Sequence, residues 1–168
     1  MASTRVTWPE LIAELEARMR RRDRYNLILV AMSLSTAHRD AEELARALQA
    51  EYVDFDRELI RQMEGDDWDY QVEAERVGNL SEGRRMIVAL VEGVAGRLEH
   101  SRPVVVGNCN LAVRYETDLA AALLHASSHG LCVICAGGKV QDGALYVHGI
   151  FRWIGAGTVP ALELVKDT

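Results

Sequence analysis

Apolar residues occur along the chain in two kinds of segment. In one kind they form short uninterrupted runs, which are typical of strands buried on both faces of a sheet. In the other kind they recur every three or four residues, which places them on one side of a helix. The first pattern predicts strands at residues 26–32, 51–56, 103–107, 131–136 and 162–165. The second predicts helices at residues 7–24, 41–48, 57–63, 86–98 and 117–128.

The alternation of strands and helices indicates the fold class. It predicts a parallel sheet with helices on both faces, because parallel strands need a helix-length crossover between them. We therefore expect an α/β fold in three layers, formed by residues 1–168 as a single domain, since no internal repeat or linker interrupts the pattern. A small β region is expected at 144–153 and mostly loop at 65–80, and Gly137 and Gly138 are expected to end the strand at 131–136.

The first predicted helix has a defined start and a basic end. Thr7 and Glu10 have the spacing of a capping box, and Pro9 is tolerated in a first turn. Cations near the end of a helix are favoured by its dipole, which accounts for a solvated basic cluster there. Contact with nucleic acid or an acidic partner is the alternative, although no aromatic residues are interleaved with the arginines. The cluster consists of Arg18, Arg20, Arg21, Arg22 and Arg24.

Composition narrows the classes of protein that this chain can be. It has 168 residues, of which 49% are hydrophobic, and a net charge of −6. The hydrophobic fraction excludes a chain that is disordered throughout, and the charge excludes a surface that is strongly basic throughout, as in many nucleic-acid-binding proteins. No apolar run approaches the ~18 residues of a membrane span, and the first residues carry no apolar segment of a signal peptide. The three cysteines are an odd number within apolar segments, so we expect reduced thiols and a cytoplasmic location.

The loop after the first long strand is where a ligand is expected, because open parallel sheets bind ligands beyond the carboxyl ends of their strands. A phosphate-binding loop would read G-x-x-x-x-G-K-[ST]. The corresponding residues 31–38 read Ala-Met-Ser-Leu-Ser-Thr-Ala-His, so Ala37 stands in place of the lysine and His38 in place of the hydroxyl residue. The residues left for a degenerate phosphate or metal site are Ser33, Ser35, Thr36, His38, Arg39 and Asn108.

The strand at 103–107 also lacks the acidic residue that a nucleotide-binding site would have at its end. A magnesium-coordinating acid would end it, but Gly107 and Asn108 follow the valines, and neither supplies the negative charge that a hard divalent cation prefers. Because phosphate and metal positions have both changed, we expect neither NTP hydrolysis by the usual mechanism nor a catalytic residue or metal site of the usual kind. No resident cofactor is expected, and weak nucleotide binding stays open.

Five stretches carry a resemblance to a known family: 24–30, 44–63, 104–111, 118–138 and 143–146. In them the chain resembles the small P-loop protein of type 3 BREX phage-defence systems, in which the strand matching 104–107 ends in an Asp-Asn pair. The resemblance implies a P-loop NTPase-like fold, and it implies protein subunits of a defence complex, or a second copy of the chain, as partners. Together with the lost motifs, it leads us to expect a non-catalytic scaffold or regulatory subunit.

Residues 44–60 are similar to a stretch of cytidylate kinase-like proteins, in which a helix and strand lead into a Tyr-Asp-Arg-Glu-like signature. This second resemblance keeps an enzyme open, either an NTPase or a nucleotide kinase with a rearranged phosphate site. Such an enzyme would use His38, Arg39 and the carboxylates of Asp54 and Asp56. A nucleic-acid-binding module that uses the basic helix end is the third alternative.

A few other residues have the spacing of a functional site but a simpler interpretation. His125 and His129 are four apart on a predicted helix, yet no third ligand accompanies them. Cys132 and Cys135 have the C-x-x-C spacing, but residues three apart on a strand point to opposite faces. Asp54, Asp56 and Glu58 could gather near a pocket, although acids are also common caps where a strand leads into a helix. Three tryptophans are candidate core residues or interface anchors: Trp8, Trp68 and Trp153.

Overall fold

The computed structural model describes residues 5–21, 23–65, 78, 81–100, 102–149, 152–155 and 159–166. Strands and helices alternate through most of this length. The helices are α1 (Trp8–Arg20), α2 (Ala37–Ala47), α3 (Phe55–Gly65), α4 (Ser81–Glu99), α5 (Asn110–Arg114) and α6 (Leu119–Leu123), followed by a 3₁₀ turn (Ala126–Ser128). The strands are β1 (Arg5–Val6), β2 (Leu27–Met32), β3 (Glu51–Asp54), β4 (Val104–Gly107), β5 (Cys132–Gln141), β6 (Ala144–Val147), β7 (Arg152–Ile154) and β8 (Ala161–Leu164).

The strands form one mixed sheet of eight. Six of them are parallel and lie in the order β1-β8-β2-β5-β4-β3, so β2 lies between β8 and β5 near the centre of the sheet. The second half of β5 leaves this parallel part and pairs with β6, which in turn pairs with β7, both antiparallel. The predicted α/β class is therefore confirmed, but the sheet is mixed, not wholly parallel.

Helices cover both faces of the sheet because the residues of its central strands are apolar on both faces. On β2, Ile28 and Val30 belong to a core cluster that includes Leu11 of α1 and Leu44 of α2. Their neighbours on the same strand, such as Leu29, belong to a second cluster formed with α3 to α6. Both clusters are buried, which is why these strands appear as uninterrupted apolar runs in the sequence.

The boundaries of the helices differ from those predicted, and α2 and α4 begin four and five residues before the predicted 41 and 86. Helix α1 ends at Arg20 because Arg21 is extended and its N–H closes the last turn on Ala17, so the predicted extension to residue 24 is wrong. The predicted helix 117–128 is interrupted, since α6 ends at Leu123 and a 3₁₀ turn follows at Ala126–Ser128. Helix α5 was not predicted, and the predicted loop at 65–80 falls almost entirely outside the described residues.

The glycine pair in β5 does not end the strand, contrary to the prediction. β5 continues through Gly137 and Gly138 to Gln141, and Gly138 is paired with Val147 of β6. A Cβ at Gly138 would collide with the carbonyl oxygen of Tyr146, so the backbones approach too closely for any side chain. Among the described helices, none combines the length and the apolarity that crossing a membrane requires.

Candidate functional site

The loop between β2 and α2, residues 33–36, lies at the carboxyl ends of the parallel strands near the middle of the sheet. Its hydroxyl groups are engaged within the loop and the following helix. Ser33 Oγ and Ser35 Oγ are 3.2 Å apart, and the Thr36 hydroxyl donates to Asp40 Oδ2 at 2.7 Å. The Thr36 N–H donates to the carbonyl of Ser33 at 3.1 Å. The segment is therefore closed by its own hydrogen bonds.

His38, near the start of α2, reaches across to β3. Its Nδ1 lies 3.0 Å from the hydroxyl of Tyr52 and 3.8 Å from Oδ2 of Asp54. The imidazole is largely exposed, whereas the Asp54 carboxylate is mostly buried. The three polar side chains therefore lie together between the start of α2 and the carboxyl end of β3. The structure thus places His38 and Asp54 together, as the rearranged-enzyme hypothesis requires, and adds Tyr52 to them.

Asp54, Asp56 and Asn108 form a second polar group beside this one. Asp54 Oδ1 accepts hydrogen bonds from the Arg57 N–H at 3.1 Å and from Asn108 Nδ2 at 3.0 Å. Asp56 Oδ1 accepts from the Leu111 N–H at 2.9 Å, and the Asp56 N–H donates to the carbonyl of Asn108 at 2.8 Å. Asn108 has a φ of 52°, a left-handed conformation that asparagine adopts more readily than most residues, and it turns the chain out of β4 toward α5.

Burial controls the protonation of this group. It raises the pKa of Asp56 to about 6, against the hydrogen bonds from Leu111 and Asn110, which lower it, and the nearby Asp54 charge raises it further. Burial and the Asp54 charge raise the pKa of the Tyr52 hydroxyl well above its ordinary value. Tyr52 therefore stays neutral near pH 7, and Asp56 titrates in the range in which acid–base groups of binding sites commonly do.

Gly107, the last residue of β4, packs closely against the side chain of Tyr52 and against Ala41 of α2. A Cβ on this glycine would lie 2.9 Å from the Tyr52 hydroxyl oxygen and 3.0 Å from Ala41 Cβ. Cβ atoms in folded proteins essentially never approach other atoms as closely as the first of these distances. A side chain at position 107 would therefore require Tyr52 or α2 to move.

Two of the proposed site residues lie apart from this group. Arg39 lines a separate cavity of about 320 Å³ with Trp8, Glu43 and Lys166. Glu58 forms an exposed ion pair with Arg61, in which the charged atoms are 3.8 Å apart. The structure therefore does not bring Arg39 or Glu58 to the Asp54 and Asp56 carboxylates.

The arginine cluster lies at the opposite edge of the sheet, where the parallel strands begin. Its members in α1 are paired with acids of the same helix: Arg18 with Glu14 at 3.0 Å and Arg20 with Glu16 at 3.8 Å. Arg21 also approaches Glu14, at 3.5 Å, and the Arg24 guanidinium lies 5.2 Å from the centre of the Tyr25 ring. Arg22 lies outside the described residues. Arg21 and Arg24 line a cavity of about 630 Å³ with His129 and Pro103.

The histidines and cysteines with the spacing of a functional site make packing contacts in the structure. His125 packs edge-on against Tyr25, with 5.6 Å between the ring centres. Cys132 and Cys135 belong to core clusters on opposite faces, as predicted, and burial raises the pKa of the Cys132 thiol to about 12. Among the residues that the structure describes, no three His, Cys, Asp or Glu side chains are grouped so that they could hold a metal ion.

Comparisons with known proteins found no family model, curated protein or solved structure that matches this chain. The function of the chain is therefore inferred from its sequence and from the geometry of the site. Sequence reasoning identified His38, Asp54, Asp56 and Asn108, and the structure places them at one edge of the sheet. It missed Tyr52, because a tyrosine on a predicted strand has no local signal of a polar role until the fold brings it beside His38.

Proposed function

We propose that this chain is a non-catalytic scaffold or regulatory subunit with a P-loop NTPase-like fold, acting in a bacterial phage-defence assembly. The defence assembly rests on the resemblance of residues 24–30, 44–63, 104–111, 118–138 and 143–146 to the small P-loop protein of type 3 BREX systems. The lack of catalysis rests on the geometry at the carboxyl edge of the sheet.

The observation that carries the proposal is the packing of Gly107. Tyr52 and Ala41 fill the space in which a metal-binding carboxylate would have to begin. Phosphoryl transfer depends almost entirely on positioning and on neutralising charge with magnesium and cations, so a site without the metal-binding acid loses its main catalytic contribution.

The phosphate side of the site supports the same conclusion. Ala37 provides no charge at the position of the lysine, and the hydroxyls of Ser33, Ser35 and Thr36 are engaged in local hydrogen bonds. Leu34 packs against β5, since a Cβ at Gly137 would lie 3.0 Å from Leu34 Cα. A phosphate cradle made of free backbone N–H groups and a lysine is replaced by a closed turn.

Phosphate release from ATP and GTP in the presence of magnesium tests the lack of catalysis. The chain and its His38→Ala/Asp54→Asn double variant should release phosphate at the same rate. Turnover by the chain above that of the double variant would overturn the proposal.

Co-expression with the products of the genes that flank its own gene tests the scaffold role, with co-elution at a fixed stoichiometry as the expected result.

A nucleotide-binding enzyme with a rearranged site is the second candidate, and the meeting of His38, Tyr52 and Asp54 favours it. A histidine beside a carboxylate at the carboxyl edge of a sheet is an arrangement that acid–base catalysis can use. Thermal melts with added nucleotides distinguish the two candidates, because a ligand that binds only the folded state raises Tm. A shift that Asp54→Asn abolishes supports the enzyme, and unchanged melts support the scaffold.

A further inference from the structure

The antiparallel strands β5, β6 and β7 present two different faces. Val140, Leu145 and Ile154 are directly opposite one another in the pairing and pack into the core. The adjacent row, Lys139, Tyr146 and Trp153, therefore lies on the other face, because successive residues of a strand point to opposite sides. A cation and two aromatic rings are thus aligned across three neighbouring strands, although they are separated along the sequence.

The ring of Trp153 is exposed, and the half-buried ring of Tyr146 lies beside it. Trp153 is 48% exposed, which is unusual for so large an apolar side chain. The Tyr146 ring packs edge-on against it, with 4.8 Å between the ring centres and 61° between the ring planes. A flat group can therefore stack on the exposed part of the tryptophan ring, next to the tyrosine.

A basic cavity adjoins the same row. It has a volume of about 360 Å³ at the carboxyl ends of β2, β5 and β8, and four basic residues line it: Arg5, Lys139, His148 and Lys166. Glu163 is the acid among its lining residues, and it already interacts with Arg5 at 3.9 Å and with the Val140 N–H at 3.3 Å. Lys166 is paired with Asp40 at 3.0 Å. Three permanently charged cations, Arg5, Lys139 and Lys166, thus line the cavity beside one acid, in a chain whose net charge is −6.

We propose that this face binds single-stranded nucleic acid, with bases stacked on Trp153 and Tyr146 and phosphates held by Lys139 and the adjoining cavity. Aromatic rings on the open face of a sheet, next to cations that follow the backbone, are the combination that binds unpaired strands with little sequence preference. Duplexes bury their base faces and cannot stack on the rings. An acidic protein segment would use the cations and would have no need of the exposed rings. The inference does not depend on the proposed scaffold role.

Fluorescence anisotropy of a labelled oligothymidylate of about 12 nucleotides tests the proposal at about 50 mM salt. Trp153→Leu should weaken binding about tenfold or more, because a stacked base is lost. Trp153→Phe should retain most of the affinity, since it keeps a ring. Lys139→Gln should lower the slope of log K against log salt concentration by about 0.7, the value for one phosphate contact on a single strand.

Arg46→Gln is the matched control, because it removes an exposed cation from α2 that lines neither the cavity nor the aromatic row. It should leave the affinity unchanged, and thermal melts should show that each variant is folded. Three results would overturn the proposal: no anisotropy change at any protein concentration, binding that Trp153→Leu does not weaken, or binding that Arg46→Gln weakens as much as Lys139→Gln. Equal displacement of the oligonucleotide by a polyglutamate peptide of matched charge would point to an acidic protein partner and would also overturn it.

Discussion

Gly107 lies between an aromatic side chain and a helix, and it leaves no room for even the smallest side chain. The Tyr52 ring could rotate away from a new methyl group, but it is held by the contact with His38. Ala41 belongs to the buried face of α2 and cannot move without the helix. We expect Gly107→Ala to lower the free energy of unfolding by about 1–3 kcal/mol, the usual cost of overpacking, as measured by urea denaturation.

Gly93 provides the control for this substitution. It lies in α4 with open space around the position of a Cβ, so Gly93→Ala should raise the free energy of unfolding by roughly 0.5–1 kcal/mol. If Gly107→Ala were as stable as the unchanged chain, the packing at β4 would not prevent an acid there. The main support for a non-catalytic site would then be lost.

Asp56 makes the stability of the chain depend on pH in a defined direction. Its folded pKa of about 6 lies above the ordinary value of 3.8, so between these values the folded chain holds a proton that the unfolded chain has released. The free energy of unfolding therefore falls as pH rises from about 4 to about 6, and then stays level. The titration of this group accounts for a fall of up to about 3 kcal/mol. The destabilisation comes from placing a charged carboxylate in a buried position.

Asp56→Asn isolates this effect, because the amide oxygen can still accept the hydrogen bond from the Leu111 N–H. We expect the variant to match the unchanged chain near pH 4 and to become increasingly more stable than it up to about pH 6–7, as followed by urea denaturation at each pH. A difference in stability that is the same at every pH would show that Asp56 does not titrate in this range.

Residue spacing predicted part of the candidate site. Asp54 lies near the end of the predicted strand 51–56 and Asn108 follows the predicted strand 103–107, so their position at the carboxyl edge could be inferred from topology alone. Arg39 adjoins His38 in the sequence but points elsewhere, because consecutive residues on a helix are rotated by about 100°. Which of the two would face Asp54 depends on the rotation of α2 against the sheet, and core packing sets that rotation.

At the scale of elements, apolar patterning predicted β2, β4 and β8 closely, because buried strands leave a dense apolar signal. The same reasoning failed at Gly137 and Gly138, where glycine usually marks a turn. In the fold these residues remain in a strand, and Gly138 permits the carbonyl of Tyr146 to approach. Such a requirement comes from a neighbouring strand, and therefore cannot be inferred from the local sequence.

Gly138→Ala tests that explanation. The added methyl group would meet a backbone oxygen that cannot move without breaking the pairing of β5 with β6. We expect a loss of more than about 3 kcal/mol in the free energy of unfolding, together with a changed near-ultraviolet circular dichroism signal from Trp153. Gly96→Ala in α4 has open space and should cause neither change. A mild effect at Gly138 would mean that the strands are less closely apposed.

At the scale of the whole molecule, residues near the two ends of the chain are held together around the central loop. β1 pairs with β8, and Lys166, just beyond β8, donates to the buried carboxylate of Asp40. Asp40 also accepts the hydroxyl of Thr36 and thereby anchors the loop that follows β2. The charge on Asp40 is thus stabilised by groups more than 100 residues apart, a contact that no local pattern in the sequence indicates.

Lys166→Gln should therefore destabilise the fold, since it leaves a buried carboxylate with one partner fewer. Because Lys166 itself is 45% exposed, water replaces part of the lost interaction, and we expect a loss of about 1–3 kcal/mol in the free energy of unfolding by urea denaturation. In an Asp40→Asn background the same substitution should cost much less, because no buried charge remains to be stabilised. Lys139→Gln, which removes an exposed lysine, should change stability by less than about 0.5 kcal/mol. Equal costs of Lys166→Gln in both backgrounds would show that Lys166 does not act through Asp40.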